Sequence, residues 1–253
     1  MTFRIKDHKW LYEKKVKFRK FKFFVKNIFY ILSFRSNIII LLSFIRTSLQ
    51  NIQSDENYIK KIYKGFKTNH ADWFAYKINL IKFYINSSVL KNKLILEIGS
   101  FEGKSTIFFL NLFKNSKIFC VDTWQGSNEY KYKITCKNSI EKNFDINIKK
   151  FKKRVIKNKM KSDSFFKKKK NLFFDFIFID GFHRSDQVFR DSINSFRVLR
   201  QNGYILFDDY LYKFYKNQKL NPIYGINRFL KKFKKEIKII FCNEQLLVKK
   251  ISS

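Results

Sequence analysis

The sequence has 253 residues, of which 45% are hydrophobic, so it is long enough to bury the core of one α/β domain together with a modest extra segment. Its three cysteines are widely spaced without a CxxC pair, which excludes a small disulfide-stapled secreted scaffold and predicts buried thiols in a reducing, cytoplasmic compartment. The net charge of +34 suggests a polyanionic partner, but Lys, Asn, Ile and Phe dominate the whole chain and share AT-rich codons, so nucleotide composition accounts for much of the excess.

The N-terminal part of the chain is basic and aromatic and contains two short apolar runs, Ile28–Phe34 and Ile38–Ile45. Neither run reaches the roughly 20 residues that a membrane-spanning helix needs, and no small-residue cleavage site follows them. We interpret residues 1–70 as a helical extension that covers the core of a catalytic domain at residues 71–253. A peripheral contact of this basic segment with an anionic membrane at the cytoplasmic face is the alternative, and an oligomer stays open.

From Leu94 onward, short apolar runs alternate with longer amphipathic runs, a pattern typical of βαβ units in a largely parallel sheet. The last two β-like runs are separated only by Asn243 and Glu244, which fits an antiparallel hairpin. The pattern therefore predicts an α/β fold with a mostly parallel sheet and an antiparallel last strand. The seven predicted strands are Leu94–Ile98, Ile118–Asp122, Arg154–Lys157, Phe176–Asp180, Tyr204–Asp208, Glu236–Cys242 and Gln245–Lys249.

A glycine-containing loop, EIGSFEGKST, begins at Glu97 within the first predicted strand and leads into the helical run Ile107–Phe113. Gly99 and Gly103 let the backbone turn tightly beside a ligand. The start of the following helix offers unpaired N–H groups to an anion such as a carboxylate or a phosphate. The loop is therefore a candidate ligand site.

Two nucleotide-binding fingerprints compete for this loop. The GxGxxG pattern of dinucleotide sites fails because Phe101 and Lys104 stand at its second and third glycine positions. The phosphate-binding GxxxxGK[ST] pattern comes closer, since Lys104 and Ser105 match its end, but Ile98 stands where its first glycine belongs.

Later strands also end in residues that carry chemistry. Asp122 ends the second strand, where a carboxylate can accept both ribose hydroxyls of a nucleoside; an ordinary strand-end acid is the alternative.

Asp180 ends the fourth strand and His183 follows three residues later, which places an acid and a potential general base at the sheet edge that binds ligands. Adjacent Asp208 and Asp209 end the fifth strand and repel each other unless a cation lies near them. With Asp180 they offer three hard oxygen ligands, which suits Mg²⁺; helix capping by Asp208 is the alternative.

Four segments in chain order, EIGSFEG, VDTWQGS, IDGFH and GYILFDDY, followed by a β-hairpin, resemble the class I S-adenosylmethionine-dependent methyltransferases. The VDTW-x-GS-x-E stretch from Val121 to Glu129 is similar to the metal-dependent macrocin-type sugar O-methyltransferases. The resemblance covers residues 91–250 and implies a Rossmann-like methyltransferase fold. It also implies S-adenosylmethionine and a divalent metal such as Mg²⁺ as cofactors, and a hydroxyl on a sugar, glycan or other polyol-like metabolite as the acceptor.

The resemblance also implies roles for individual residues. Asp180, Asp208 and Asp209 would hold the metal, and His183 would be the catalytic base beside Asp180. The adenine-facing segment should follow the third strand, where Asp163 is the candidate. The implied cofactor-binding residues are Glu97, Gly99, Phe101, Gly103, Ser105, Asp122, Thr123, Trp124 and Asp163.

Three alternatives remain at this point. The charge and the 19% aromatic content would suit a nucleic-acid methyltransferase, although no Asn-Pro-Pro-Tyr type motif of amino-methyltransferases is present, and a small-molecule or carbohydrate substrate is favoured over nucleic acid. A non-catalytic member of the same fold is disfavoured by the intact set of acids and His183. A kinase-like enzyme would use Lys104 in the glycine loop.

Overall fold

A computed structural model describes residues 22, 24–33, 38–85, 93–126, 137–169 and 171–251 of the chain. Its centre is a seven-stranded sheet with strands β1 Leu94–Ile98, β2 Lys117–Asp122, β3 Val155–Lys159, β4 Phe174–Ile179, β5 Leu199–Phe207, β6 Ile237–Cys242 and β7 Leu246–Lys250. The strand order is β3-β2-β1-β4-β5-β7-β6. Strands β1 to β5 pair in parallel, and β7 runs antiparallel to both β5 and β6.

This topology confirms the predicted Rossmann-like methyltransferase fold with its antiparallel last strand. The strand bounds differ from the prediction where the sequence is polar. Strand β3 extends to Lys159 rather than Lys157, and β5 starts at Leu199, directly after the preceding helix, rather than at Tyr204. Polar residues at strand ends carry no apolar alternation, so the sequence pattern marks such ends poorly.

Helices cover both faces of the sheet. They are α1 (residues 24–33), α2 Ile38–Ser48, α3 Glu56–Ile62, α4 Ile78–Tyr84, α5 Lys104–Leu112, α6 Lys137–Asn147, α7 Ser162–Lys168, α8 Ser185–Val198 and α9 Pro222–Lys232. Short 3₁₀ turns lie at Ala75–Lys77, Lys149–Arg154 and Gln218–Leu220. The predicted N-terminal helical segment is thus present in α1 and α2.

Two aromatic-rich clusters form the core, one on each face of the sheet. Phe176 and Phe178 of β4 join helices α4, α5 and α6 on one face, while Ile177 and Ile179 join α2, α7, α8 and α9 on the other. This division follows from the alternation of side chains along a strand. Because both faces are covered, the ligand site is confined to the strand ends.

The N-terminal helices belong to this packing. Ile40 and Phe44 of α2 are fully buried in the same cluster as Ile237 and Cys242 of β6. Among the described residues, no helix is both long enough and apolar enough to cross a membrane. The domain boundary near residue 70 stays a prediction. The residues of the predicted VDTW-x-GS-x-E stretch from Ser127 to Glu129 lie outside the described residues, as do Cys136 and most of the basic N-terminal segment.

Candidate functional site

The carboxyl ends of β1, β2, β4 and β5 lie side by side and are tied together by backbone hydrogen bonds. The Gly99 N–H donates to the carbonyl of Val121 at 2.9 Å, and the Asp180 N–H donates to the carbonyl of Ile98 at 2.8 Å. The Asp208 N–H donates to the carbonyl of Ile179 at 3.1 Å. The motifs that follow these four strands therefore meet at one edge of the sheet, as the sequence predicts.

The lack of a side chain at Gly99 lets the end of β1 lie very close to the end of β4. Its φ of +87° lies in the left-handed region, and a Cβ placed on it would lie 1.9 Å from the carbonyl oxygen of Asp180. No side chain fits in that space without separating β1 from β4. The absence of a side chain at residue 99 thus brings the glycine loop against the strand end that carries Asp180.

Asp122 holds the glycine loop in shape. Its Oδ2 accepts from the backbone N–H groups of Ser100 at 2.9 Å and Phe101 at 2.8 Å, and its Oδ1 accepts from the N–H of Trp124 at 2.7 Å. The Trp124 indole N–H in turn donates to the carbonyl of Phe101 at 2.8 Å. These bonds support left-handed backbone at Phe101 (φ 44°) and Trp124 (φ 53°). A carboxylate has about four acceptor positions, so Asp122 keeps capacity for a ribose hydroxyl.

Glu97 lies beneath the loop rather than beside a ligand space. Its side chain is fully buried, and its Oε2 accepts from the Thr106 hydroxyl at 2.5 Å and from the Cys120 thiol at 3.4 Å. Burial raises the pKa of Glu97, and hydrogen bonds from hydroxyls, including that of buried Ser105, offset part of this shift. In this structure Glu97 and Ser105 support the loop from the protein interior.

Asp180, His183 and Asp209 converge at the neighbouring strand ends. The His183 Nε2 lies 3.1 Å from Asp209 Oδ2 and 3.6 Å from Asp180 Oδ1. The imidazole stacks on the ring of Phe214 with 3.9 Å between ring centroids. Burial and the charge of the neighbouring Asp208 raise the pKa of Asp180 well above its ordinary value. Burial also raises the pKa of Asp209, but the hydrogen bond from His183 and the charges around it outweigh that effect and lower it.

Asp208 lies beside the group of Asp180, His183 and Asp209, and a buried lysine joins it to Asp209. Its Oδ2 accepts from Lys77 Nζ at 2.6 Å, and its Oδ1 accepts from Gln245 Nε2 at 2.5 Å. Lys77 Nζ also lies 3.6 Å from Asp209 Oδ1. Burial alone would lower the pKa of Lys77, but the surrounding aspartates raise it above its ordinary value, so the side chain is an ammonium ion. Neither Lys77 nor Gln245 is among the site residues predicted from the sequence.

Comparison with known proteins agrees with this fold. Residues 96–210, which include the glycine loop, Asp122, His183 and all three acids of the candidate metal set, match a family model described as a methyltransferase domain. Residues 96–210 therefore resemble a methyltransferase domain, and the sheet that contains them has the Rossmann-like methyltransferase strand order.

Solved structures share the fold of this methyltransferase domain at low sequence identity. The O-methyltransferase TomG from Streptomyces achromogenes, in complex with S-adenosylmethionine, is 12% identical with a TM-score of 0.53, and 86% of this chain and 98% of TomG are covered. An O-methyltransferase from Bacillus cereus is 14% identical with a TM-score of 0.51, covering 85% and 99%. MycE of the mycinamycin biosynthetic pathway, in complex with Mg, is 12% identical with a TM-score of 0.53, covering 76% of this chain and 54% of MycE. No curated protein sequence matches the chain.

A segment that precedes the methyltransferase sheet lies over its glycine loop. The buried Glu102 carboxylate accepts from the Thr68 hydroxyl and, at 2.7 Å, from Asn143 Nδ2, and its Oε1 lies 3.2 Å from His70 Nδ1. The His70 ring packs edge-on against Phe101 at 4.8 Å. The sequence analysis missed these contacts because they join residues about thirty positions apart with no shared motif.

The segment predicted to face the adenine lies at the start of α7. Asp163 stands in the first turn of this helix, its side chain 42% exposed and 3.4 Å from Gln187 Nε2. Thr123 follows β2 at the same edge, and its hydroxyl accepts from the Gln125 N–H at 3.4 Å. Gln187 also donates to Asp191 at 3.1 Å, and Asp191 is 1% exposed.

Replacing Asp191 by Asn should stabilise the protein at neutral pH. Burial raises the pKa of Asp191 to about 6. The folded state therefore binds this proton more tightly than the unfolded state, and the stability it contributes is present below the unfolded pKa and lost as the pH rises through about 6. We expect the free energy of urea unfolding of D191N, relative to the original chain, to gain up to about 3 kcal/mol between acidic and neutral pH.

Asp186→Asn is the matched control for this measurement. Asp186 lies on the same helix, but its side chain is 50% exposed and its pKa is lowered, because its own and the Gln187 backbone N–H groups and the Arg184 and Arg190 charges outweigh the effect of burial. D186N should therefore gain no stability as the pH rises. A parallel pH dependence for D191N and the original chain would contradict the assignment of a buried, neutralised carboxyl.

Proposed function

We infer that the chain is an O-methyltransferase that transfers a methyl group from S-adenosylmethionine to a hydroxyl of a sugar, glycan or other small polyol-like metabolite. The observation that carries this proposal is the meeting of the Asp122-fixed glycine loop with the group of Asp180, His183 and Asp209 at one sheet edge. A donor site and a site that can accept a proton thus lie next to each other. The O-methyltransferase neighbours support the same reaction class at the level of the fold.

The donor would occupy the space above the glycine loop. The backbone of the loop and the start of α5 offer N–H groups to the carboxylate of the methionine part. Asp122 would accept from a ribose hydroxyl, and Asp163 at the start of α7 would lie toward the adenine. Lys104, which the kinase-like alternative needs for phosphate, instead pairs with Asp72 Oδ2 at 2.6 Å.

Methyl transfer needs one proton acceptor and accurate placement. The sulfonium would supply a methyl group whose C–S bond breaks as the new C–O bond forms, which leaves a neutral thioether, and the imidazole of His183 would take the hydroxyl proton. Asp209, 3.1 Å from that nitrogen, would stabilise the imidazolium that results. Because the donor is already activated, positioning supplies most of the rate.

The three-aspartate metal set predicted from the sequence does not fit a divalent ion in this arrangement. Asp208 already accepts from the Lys77 ammonium and from Gln245, and this ammonium, which also lies 3.6 Å from Asp209, would repel a divalent ion. Asp180, His183 and Asp209 can still bring one ligand atom each within 4.8 Å of one another, but that set uses the imidazole proposed as the base. No step of the proposed reaction is therefore assigned to a metal.

Calorimetry with S-adenosylmethionine and with ATP tests the donor assignment directly. We expect saturable binding of S-adenosylmethionine and none of ATP, and a methylation screen of nucleotide sugars and free glycans should then find an acceptor. Binding of ATP alone would support the kinase-like alternative. RNA methylation with a steep salt dependence would support the nucleic-acid alternative instead.

We also propose a peripheral membrane contact through the N-terminal helices. Large apolar side chains are exposed on α1 and α2, which an isolated soluble surface rarely concentrates. Co-sedimentation with anionic vesicles should detect the contact, and equal recovery with neutral vesicles or none would reject it. The exposed residues are Phe29 and Leu32 of α1, Ile38, Ile39 and Leu42 of α2, and Leu49, which directly follows α2.

A further inference from the structure

A buried lysine lies inside a cluster of three acids at the sheet edge, Asp180, Asp208 and Asp209, which we call the acidic cluster. The Lys77 side chain is 5% exposed, and its Nζ lies 2.6 Å from Asp208 Oδ2 and 3.6 Å from Asp209 Oδ1. Fully buried charges are rare unless they are paired, and here the pairing joins the N-terminal part of the chain to residues 131 positions later. The ammonium therefore faces the same carboxylates from which the sequence predicts a metal site.

The chain fixes Lys77 at this place by packing on both sides of it. Asp72 Oδ1 accepts from the N–H groups of Phe74 at 3.0 Å and Ala75 at 2.9 Å, which holds the start of the 3₁₀ turn. The Phe74 ring contacts Phe178 of β4 with 5.8 Å between centroids, and Ile78 is fully buried. The residues before and after Lys77 are packed in place, so the fold itself directs the Lys77 side chain to the acidic cluster.

The carboxylates of Asp208 and Asp209 already have side-chain partners within the protein. Lys77 and Gln245, which is 1% exposed, together use both oxygens of Asp208. Asp209 lies between the ammonium of Lys77 and the imidazole of His183. A divalent ion at Asp180 and Asp209 would share a carboxylate with the ammonium and be repelled by it across a few ångströms of protein.

We propose that the Lys77 ammonium is the resident cation of this sheet edge and takes the place that the methyltransferase resemblance gives to Mg²⁺, so that the domain works without a divalent metal. In this role Lys77 is a positioning residue. Its positive charge offsets part of the negative charge of Asp208 and Asp209 and so fixes the carboxylate that orients His183. The catalytic meaning of this inference rests on the proposed function, but the cation itself can be tested without methyl transfer.

Binding of Mn²⁺ to the purified full chain, followed by the electron paramagnetic resonance signal of the free ion, tests the proposal. The unmodified chain should show no saturable binding in the micromolar range. Its net charge of +34 also suppresses adventitious cation binding, so a positive signal would be meaningful. Saturation with one Mn²⁺ per chain in that range, lost in Asp209→Asn, would overturn the proposal whatever the variants below do.

Lys77→Met removes the ammonium while keeping the length of the side chain. Because it leaves Asp208 and Asp209 without their cation, we expect Mn²⁺ to bind at least about tenfold more tightly than to the unmodified chain. Lys82→Met is the matched control, since Lys82 of α4 pairs with Asp55 at 2.7 Å on the surface and its loss should leave Mn²⁺ binding unchanged. A folded K77M that binds Mn²⁺ no better than K82M would contradict the proposal.

Two further measurements keep the outcomes separate. Lys77→Arg retains the positive charge, so this variant should bind Mn²⁺ no better than the original chain. If K77M does not fold, the Mn²⁺ titration of the original chain decides the question alone. S-adenosylmethionine binding is measured on the same samples. A chain that binds neither S-adenosylmethionine nor Mn²⁺ would refute the proposed function while leaving the resident cation in place, whereas binding of both would refute only the cation.

Discussion

Replacing His183 by Ala should lower the rate of methyl transfer by about 10² to 10⁴-fold, the usual contribution of a positioned general base. The affinity for S-adenosylmethionine should stay nearly unchanged, because His183 Nε2 lies against Asp180 and Asp209 and not against the glycine loop. Single-turnover rates at saturating donor, together with calorimetric donor affinity, measure the two effects separately. Imidazole added to H183A should restore part of the rate.

Asp122→Ala is the reciprocal control for H183A. It removes the acceptor of three backbone N–H groups around the glycine loop, so donor affinity should fall by about 100-fold, as expected for loss of hydrogen bonds to a charged group. Turnover at saturating donor should change much less. Equal, small effects of both variants on both quantities would mean that neither residue has the role proposed for it.

The fold could be predicted because apolar residues recur along the sequence with the periods of strands and helices. The apolar runs of β1, β2 and β4 are bounded by polar residues and end in Gly99, Asp122 and Asp180, so both the strands and the sheet edge are marked locally. The antiparallel pairing of β6 with β7 follows from the short connection between the last two strands. These signals are short in range, and a single sequence contains them in full.

The site could be predicted only where its residues end a strand. Lys77 is one of 54 basic residues, and its partners Asp208 and Asp209 follow β5, with 131 positions between Lys77 and Asp208. One local signal was present: Phe74, Lys77, Ile78 and Ile81 follow the i, i+3, i+4, i+7 spacing of a buried helical face, and three of the four are apolar and buried. A lysine on such a stripe needs a buried counter-charge, which the acid pair Asp208 and Asp209 supplies.

Lys77 also explains how two adjacent acids can be buried side by side. Asp208 and Asp209 follow the last residue of β5, so the alternation of side chains along the strand no longer fixes where they point. Asp208 accepts from Lys77 and Gln245, and Asp209 lies between Lys77 and His183. A pair of acids in the sequence thus becomes one network in the fold that a distant lysine holds together.

Replacing Gly99 by Ala adds one methyl group and should destabilise the folded protein strongly. The Cβ would enter space 1.9 Å from the carbonyl oxygen of Asp180, and the residue would have to keep a φ of +87°. The backbone strain and the overpacking each cost about 1–3 kcal/mol, so we expect the free energy of unfolding to fall by about 4 kcal/mol. Donor binding should be lost as well, because the loop can accommodate the methyl group only by moving away from β4.

Gly65→Ala separates the two causes of this loss. Gly65 has a similar φ of +78°, but a Cβ there meets nothing within 4 Å. G65A should therefore cost only the left-handed backbone term, about 1 kcal/mol, and should leave donor binding intact. Urea unfolding and calorimetry of both variants give the difference, which isolates the contact between β1 and β4. If G99A were no more destabilised than G65A, the close approach of the glycine loop to Asp180, and with it the joint edge of donor and acceptor sites, would not exist in the folded protein.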